Sequence, residues 1–393
     1  MEENFFVRME SNMKTRMSRI QKAPLVHLFS SVDIPDDLIS LGQGIPFFNP
    51  PKQAIDAVNQ GMSSPAVYRY SPDAGFLSLR HNIAQKFVQQ YDVSIDQRQH
   101  IVVTAGANQA FMNAILSITI PDDEVIFFRP TYFNYVMGVQ LSGCTPVICD
   151  TNERYHPNIS DLKKKITERT KAVVTISPNN PTGAVYTADE LEEINRICAE
   201  YDLFHISDEV YEYFVYDGVS HLTPLVFDED IDHTIGLFSC SKTFGMSGFR
   251  IGYMVVPKRI YEDVIKAQDT IGICASSISQ IGAEAVIHLG GDYVSRFIPV
   301  FKKNRELLKG FIKQMPTVGG HVLNGAYYCL LSYDSNILSW DLCRRLIEEY
   351  QVLVVPGSVF DTEYSLRLSY GNLKTEDFKK GLSKLKEGLC QIL

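Results

Sequence analysis

The sequence predicts an α/β protein with a large domain, built on a mostly parallel mixed sheet flanked by helices, and a smaller α+β domain. The chain has 393 residues, more than one small hydrophobic core needs, which favours roughly two domains. Short apolar runs alternate with helical patterns, as is typical of a largely parallel sheet covered on both faces. These runs are residues 101–103, 125–128, 147–149 and 172–176.

The predicted order of domains follows these patterns along the chain. Residues 51–277 contain the alternating runs and are predicted to form the large domain. Residues 278–393 are predicted to form the small domain, because helical patterns there lead into strands separated by glycines. Residues 1–50 precede both domains as an N-terminal arm and segment.

Composition excludes several classes of partner. The formal charge of −9 argues against binding to nucleic acid or to an anionic membrane. No apolar run is long enough to cross a bilayer. The eight cysteines have neither zinc-site spacing nor a disulfide-framework pattern, so we expect a cytoplasmic protein without a metal site.

The first twenty residues carry charges of both signs. Glu2 and Glu3 open the chain and no uninterrupted apolar stretch follows, which argues against a secretory signal. Lys14, Arg16 and Arg19 make a basic, methionine-rich stretch that is compatible with a transit peptide. The early acids favour a helical or flexible arm over a processed leader.

The most informative segment is residues 238–253, which sets Lys242 among hydroxyls and glycines with Arg250 eight residues later and no acid nearby. A lysine becomes a nucleophile when burial and a neighbouring cation destabilise its ammonium. Ser239, Ser241 and Arg250 offer the donors that a phosphate needs. An amine and a phosphate cradle can hold pyridoxal phosphate, an aldehyde that carries a phosphate. In isolation, a surface lysine in a Gly/Ser loop would be the better interpretation of this motif.

Two further motifs follow predicted strands at the edge where α/β sheets place their ligands. The run 172–176 ends in Ser-Pro-Asn-Asn-Pro-Thr-Gly, which contains Asn180. The run 203–207 ends at Asp208, with Tyr211 three residues later. A carboxylate beside a ring nitrogen can keep that nitrogen protonated, and a protonated pyridine accepts electrons from a carbanion.

These motifs and their order resemble the class I/II aminotransferases, pyridoxal-phosphate enzymes of fold type I, over about residues 41–367. The family pattern S-x-S-K followed by G-x-R-x-G matches residues 239–252. The resemblance implies that Lys242 bonds to the cofactor aldehyde and later moves the Cα proton. It also implies that Ser239 and Arg250 bind the cofactor phosphate.

The resemblance assigns the remaining cofactor contacts. Asp208 would pair with the pyridinium nitrogen, and Asn180 and Tyr211 would donate to the phenolic oxygen. Ala107 and Asn108, at a predicted helix start, would complete the phosphate cup. Tyr132 would stack on the pyridine ring.

The resemblance also assigns substrate contacts and an assembly. Arg367 would clamp the substrate α-carboxylate, with help from Asn180 and the backbone of Gly44. Tyr70 would reach the phosphate of the neighbouring subunit's cofactor, which implies a homodimer with shared active sites. Residues 1–50 would pack back onto the small domain.

The function implied is transfer of an amino group from an L-amino acid to a 2-oxo acid. A Cβ–S lyase or another elimination enzyme on the same fold is the alternative, because both reactions begin alike. Asn108 stands where aspartate-specific relatives often have lysine, and residues 41–48 resemble the G-Q-G-x-P-x-F of relatives that use aromatic or glutamine-like donors. Neutral or aromatic donors are therefore expected.

Overall fold

The computed structural model describes residues 15–393, so that Glu2, Glu3 and Lys14 lie outside the described residues. The strands are β1 (Ile39–Ser40), β2 (Ile101–Thr104), β3 (Glu124–Phe128), β4 (Thr145–Cys149), β5 (Thr170–Ile176), β6 (Phe204–Asp208), β7 (Thr234–Ser239), β8 (Gly252–Val255), β9 (Val318–Gly320), β10 (Tyr328–Tyr333), β11 (Val352–Leu353), β12 (Val355–Pro356) and β13 (Ser365–Ser369). The α-helices are α1 (Pro24–Ser30), α2 (Lys52–Gly61), α3 (Leu77–Tyr91), α4 (Ala107–Ile118), α5 (Phe133–Leu141), α6 (Ile159–Lys165), α7 (Ala188–Glu200), α8 (Cys240–Thr243), α9 (Tyr261–Gly272), α10 (Ser277–Glu284), α11 (Gly290–Ser295), α12 (Ile298–Gln314), α13 (Ser339–Tyr350) and α14 (Thr375–Ile392).

A seven-stranded sheet in the order β2-β8-β7-β6-β5-β3-β4 forms the centre of the large part of the molecule. Its strands run parallel except for β8, which is antiparallel to both β2 and β7. All four apolar runs recognised in the sequence lie in this sheet, in β2 to β5. The predicted α/β fold with a mostly parallel mixed sheet is confirmed.

Helices cover both faces of this sheet. Because side chains alternate along a strand, Val125 and Phe127 of β3 pack with α4 and α5, whereas Ile126 and Phe128 pack with α6 and α7. Both faces are therefore apolar, which explains why the strands read as continuous hydrophobic runs in the sequence.

Helix α7 shows how local sequence signals position one of these covering helices. The Thr187 hydroxyl accepts a hydrogen bond from the Glu190 amide, and the Glu190 carboxylate accepts one from the Thr187 amide. This capping box stabilises the helix start, typically by about 1 kcal/mol. Leu191 and Ile194 lie on the buried face of this helix, and Ile194 packs against the sheet.

The smaller part contains the antiparallel sheet β12-β13-β10-β9, and α12, α13 and α14 pack around it. The apolar run 352–355, which reads as one strand in the sequence, divides between two partners. Its first half, β11, pairs in parallel with β1, so that Ile39 lies beside Val352, and β12 pairs with β13. The segment before the large sheet therefore contacts the C-terminal part, while the domain boundaries at 50 and 277 stay predictions.

Within residues 15–393, no helix is both long and apolar enough to cross a membrane. No group of three or more metal-ligating side chains occurs in the same described residues.

Candidate active site

A cavity of about 350 Å³ lies where β5, β6 and β7 end, between the start of α4 and the small sheet. This is the edge at which α/β sheets place their ligands. Among its lining are Gly44, Ala107, Asn108, Tyr132, Asn180, Asp208, Tyr211, Ser239, Lys242, Arg250 and Arg367. The fold thus brings together every site residue predicted from the sequence except Tyr70.

Lys242 lies on the short helix α8, directly after β7, where Ser239 caps the helix by accepting a bond from the Ser241 amide. Its Nζ donates to the Gly44 carbonyl oxygen at 2.7 Å. Burial lowers the pKa of Lys242 to about 8, and the charges of Arg367 and Arg250 act in the same direction. The amine is therefore far more often neutral near pH 7 than an ordinary lysine, as a nucleophile or base requires.

Asp208 ends β6 with only 4% of its surface exposed. Its Oδ1 accepts the Val210 amide at 3.1 Å, and the Tyr135 hydroxyl also donates to the carboxylate. Burial raises the pKa of Asp208 to about 6, and these hydrogen bonds oppose the rise. In the described part of the chain this carboxylate forms no ion pair, so a cationic ring nitrogen in the cavity would supply its missing partner.

The start of α4 and the Arg250 guanidinium form a cup for an anion. Gly106 caps α4 with φ = +83°, and a Cβ at this position would lie 2.6 Å from Arg250 Nη2. Only glycine permits both this backbone angle and the close approach of the guanidinium. The free amides of a twelve-residue helix, the arginine and the Ser239 hydroxyl together fit a phosphate group.

Arg367 forms a second anion site on β13. Its side chain is buried, and Nη1 donates to Asn180 Oδ1 at 3.0 Å while Nη2 donates to the Gly42 carbonyl. The guanidinium lies 4.7 Å from the Tyr328 ring centroid. Among the described residues, Nε has no hydrogen-bond partner and no acid neutralises the charge. A buried, unneutralised guanidinium of this kind is suited to bind a carboxylate.

Tyr211 and Tyr132 hold their hydroxyls in defined positions. The Tyr211 hydroxyl lies 2.8 Å from that of Tyr328, and the Tyr132 hydroxyl accepts from Asn134 at 2.8 Å. Burial raises the pKa of Tyr211 well above its ordinary value, which keeps its hydroxyl protonated and able to donate.

Sequence reasoning missed Tyr135 and Tyr328, which also line the cavity. Tyr132 precedes α5 as its cap and Tyr135 lies in the first turn, so a helix predicted from this point could have revealed Tyr135. Tyr328 carries no such signal, because its place in the cavity depends on how the small sheet packs against the large one.

Tyr70 does not line the cavity within this subunit. Its side chain is 78% exposed, and the side chain of the nearby Tyr68 is 71% exposed. The predicted contact of Tyr70 with a neighbouring subunit's cofactor stays a prediction.

The residues present fit pyridoxal phosphate. The cavity joins a half-buried amine to a phosphate cup and to a buried carboxylate that lacks a cationic partner. An aldehyde, a phosphate and a ring nitrogen are the groups that this set would bind. The fold and the site therefore define a pyridoxal-phosphate enzyme of fold type I.

Comparison with known proteins identifies the family. The model for "Aminotransferase class I and II" matches residues 36–385, so the chain belongs to this family. It is 30% identical to "Aromatic aminotransferase ISS1" of Arabidopsis thaliana, over 90% of each chain. It is 33% identical to "Aspartate aminotransferase" of Pyrococcus abyssi, over 91% of this chain and 93% of that one.

A solved structure gives the same result. A single mutant of the Thermus thermophilus aspartate aminotransferase is 28% identical, with a TM-score of 0.88 over 96% of this chain and 99% of the other. The protein is a pyridoxal-phosphate-dependent aminotransferase, which confirms the predicted family, cofactor and activity. None of these relatives supports the alternative of a Cβ–S lyase.

Proposed function

We propose that the enzyme transfers the amino group of a neutral or aromatic L-amino acid to a 2-oxo acid. One observation carries this choice of donor. Among the described residues that line the cavity, only Lys242, Arg250 and Arg367 carry a positive charge. Each of them is assigned to the cofactor or to the substrate α-carboxylate. The second carboxylate of aspartate would therefore have to compete with these groups for a cation. The named relatives include aromatic and aspartate aminotransferases, so the cavity's own charges are the better guide.

Four groups hold the cofactor, three at its phosphate and one at its ring nitrogen. Arg250, Ser239 and the helix-start amides of Ala107 and Asn108 bind the phosphate. Asp208 holds the proton on the ring nitrogen, since a buried carboxylate without a partner gains most from a cation. When bound, pyridoxal phosphate supplies an aldehyde for the amino group and a ring that accepts the electron pair left at Cα.

The remaining roles concern orientation. Tyr211 and Asn180 donate toward the phenolic oxygen, and Tyr132 covers the ring face. Arg367, with Asn180 and the Gly44 backbone, orients the substrate carboxylate. Two parallel hydrogen bonds from a guanidinium fix both the position and the plane of a carboxylate.

Lys242 moves the proton. Its neutral amine takes the proton from the substrate Cα and, as ammonium, can return a proton to the product. A pKa of about 8 suits both directions near neutral pH, because neither form is rare. The Gly44 carbonyl, 2.7 Å away, holds the amine inside the cavity.

Donor preference can be tested in the first half-reaction alone, without an acceptor. With cofactor-loaded enzyme, loss of the visible absorbance should be at least about ten-fold more efficient, as kcat/KM, for L-phenylalanine than for L-aspartate. Asn108→Lys adds a cation at the cavity and should narrow this difference. A wild-type enzyme that prefers aspartate would overturn the proposed donor class.

We also propose a homodimer in which Tyr70 completes the partner's active site. The exposed side chains of Met62, Tyr68 and Tyr70 lie close in the chain, and Tyr68 donates to the Met62 carbonyl. Exposed aromatic and apolar groups of this kind favour a protein interface.

The dimer can be tested by mixing inactive Tyr70→Ala protein with inactive Lys242→Ala protein under conditions that exchange subunits. A hybrid would have one site with both changes and one with neither. About half of the dimers are hybrids after random pairing, so about a quarter of full activity should return. No recovery despite exchange would place Tyr70 in its own subunit's site.

A cytoplasmic location completes the proposal. Seven of the eight cysteines are buried or partly buried and all eight are free thiols, which suits a reducing compartment. Fractionation of cells that express the full chain would test this location.

A further inference from the structure

A second, larger cavity lies apart from the active site and shares no lining residue with it. Its volume is about 820 Å³. One wall comes from the large part of the molecule, from Arg154, His156 and residues 184–188 and 219–222. The other comes from Lys309, Ile312, Lys313 and residues 320–324 of the small part. An occupant would therefore contact both parts at once.

The charge of this cavity is opposite to that of the whole chain. Its lining contains Arg154, Lys309 and Lys313 and no Asp or Glu, whereas the chain carries a formal charge of −9. Lys309 is neutralised by Glu306 at 2.7 Å. Arg154 and Lys313 form no ion pair within residues 15–393, so two positive charges remain available to an anion.

The lining also contains three histidines, and two of them are paired with carboxylates. The His156 ring contacts Glu190 at 2.8 Å and the His221 ring contacts Glu209 at 2.8 Å. The His321 side chain lies on the exposed rim.

The rest of the wall contains the polar side chains of Thr187, Ser220 and Asn324 and a larger apolar part. Val185, Tyr186, Leu222 and Ile312 line it together with Val322 and Leu323. A ligand that fits such a wall has an apolar body, and one that fits the cations has a carboxylate. An amino acid fits less well than its oxo acid, because the lining offers no carboxylate to pair with an ammonium group.

We propose that this cavity is a second binding site, for a 2-oxo acid with an apolar side chain. The ligand class rests on the proposed function, since such an acid is the product from a neutral or aromatic donor. The existence of the site rests only on its charge and shape.

Two connections join this cavity to the active site. His221 bonds to Glu209, which directly follows Asp208 in the chain. The second connection starts at Asn324 in the other wall. The next residue, Gly325, donates to the Gly183 carbonyl at 2.8 Å, and Tyr328 of the active-site cavity follows three residues later. A ligand that shifts either wall would therefore act on segments that carry active-site residues.

The test is calorimetric titration of cofactor-loaded enzyme with phenylpyruvate. We expect two equivalents per chain for the wild type, of which Arg367→Ala removes the active-site equivalent. Lys313→Glu should weaken binding to the second cavity at least about ten-fold, and Arg154→Ala should weaken the same binding by a smaller factor. The matched control is Lys303→Glu, an exposed position on the same helix outside the cavity, which should keep both. A single equivalent in the wild type, or unchanged binding to Lys313→Glu, would overturn the site.

The ligand class is tested on Arg367→Ala enzyme with phenylpyruvate bound. Neither L-phenylalanine nor inorganic phosphate at equal concentration should displace it, and displacement by either would overturn the assignment to an apolar oxo acid. If the enzyme does not prefer L-phenylalanine in the half-reaction but phenylpyruvate still binds in a way that depends on Lys313, the proposed donor class is wrong and the second binding site is supported.

Discussion

Two regions of the molecule withdraw a lysine from solvent and use it in opposite ways. Lys86, on α3, is buried and its Nζ donates to both Glu212 oxygens, at 2.6 and 2.7 Å, and to the Tyr253 hydroxyl at 2.8 Å. Lys242 is half-buried, donates to one backbone carbonyl and has the guanidinium groups of Arg250 and Arg367 among its neighbours.

The difference shows that burial alone does not make a lysine reactive. A carboxylate in direct contact stabilises the ammonium of Lys86 and compensates its loss of water. The cavity around Lys242 offers no such contact, and its neighbouring cations favour the neutral amine. The lysine suited to react is the one that has no carboxylate in direct contact.

Replacing Lys242 by alanine should have the largest effect. We expect transamination to fall by about 10⁴-fold or more, because the covalent attachment and the proton transfer depend on one amine. The visible absorbance of the attached cofactor should disappear while the thermal unfolding midpoint changes little. A retained visible band with retained activity would show that another lysine does this work.

Asp208→Asn should rank second. Loss of the carboxylate at the ring nitrogen should slow Cα proton removal by roughly 10²–10³-fold, a typical loss for one electrostatic group. Single-turnover kinetics would measure it on protein that still binds the cofactor. The adjacent Glu209→Gln is the matched control, since Glu209 is engaged by His221 and Thr223 and should change the rate only a few-fold. Equal rates for Asp208→Asn and wild type would contradict the role.

Lys86→Met should affect stability instead of chemistry. Removing one partner of a buried ion pair leaves the Glu212 carboxylate unpaired, which typically costs about 3–5 kcal/mol. The free energy of unfolding from denaturant titration would show this loss, while the folded variant keeps its visible band. The double variant Lys86→Met/Glu212→Leu should recover most of the stability. A Lys86→Met protein that is as stable as wild type but loses its visible band would contradict a purely structural role for Lys86.

The pH dependence of cofactor loading gives the smallest and most specific effect. The reactive form is the neutral amine, so the loading rate of cofactor-free protein should rise with pH and level off above the Lys242 pKa of about 8. At pH 7 the rate should be about a tenth of the plateau, whereas an ordinary lysine would keep gaining ten-fold per pH unit to about pH 10. Stopped-flow measurement of the visible band checks this. A rate that still rises steeply above about pH 9 would contradict a lowered pKa.

Much of the site could be predicted because its residues follow local patterns. Lys242 stands in a Gly/Ser segment, and Asp208 and Asn180 follow buried strands whose ends meet at one edge of a parallel sheet. Tyr328 could not be predicted in this way. Its contact with Tyr211 joins residues 117 positions apart and arises only when the small sheet packs on the large one.

Single strands were also harder to assign than the sheet as a whole. The run 352–355 is uniformly apolar, and nothing in it reveals that β11 pairs with β1 while β12 pairs with β13. The choice of partner depends on where the N-terminal segment and β13 lie, which is long-range information.

The sequence by itself determined the fold class, the cofactor-binding motifs and the edge of the sheet at which they lie, because periodicity and turn chemistry act over a few residues. Only the tertiary structure decided the charge environment. The pKa of about 8 for Lys242 depends first on burial and then on Arg367, which lies 125 positions later in the chain. The free cations of the second cavity come together from two distant segments. Electrostatic energies depend on distance in space and on burial, and a linear sequence specifies neither.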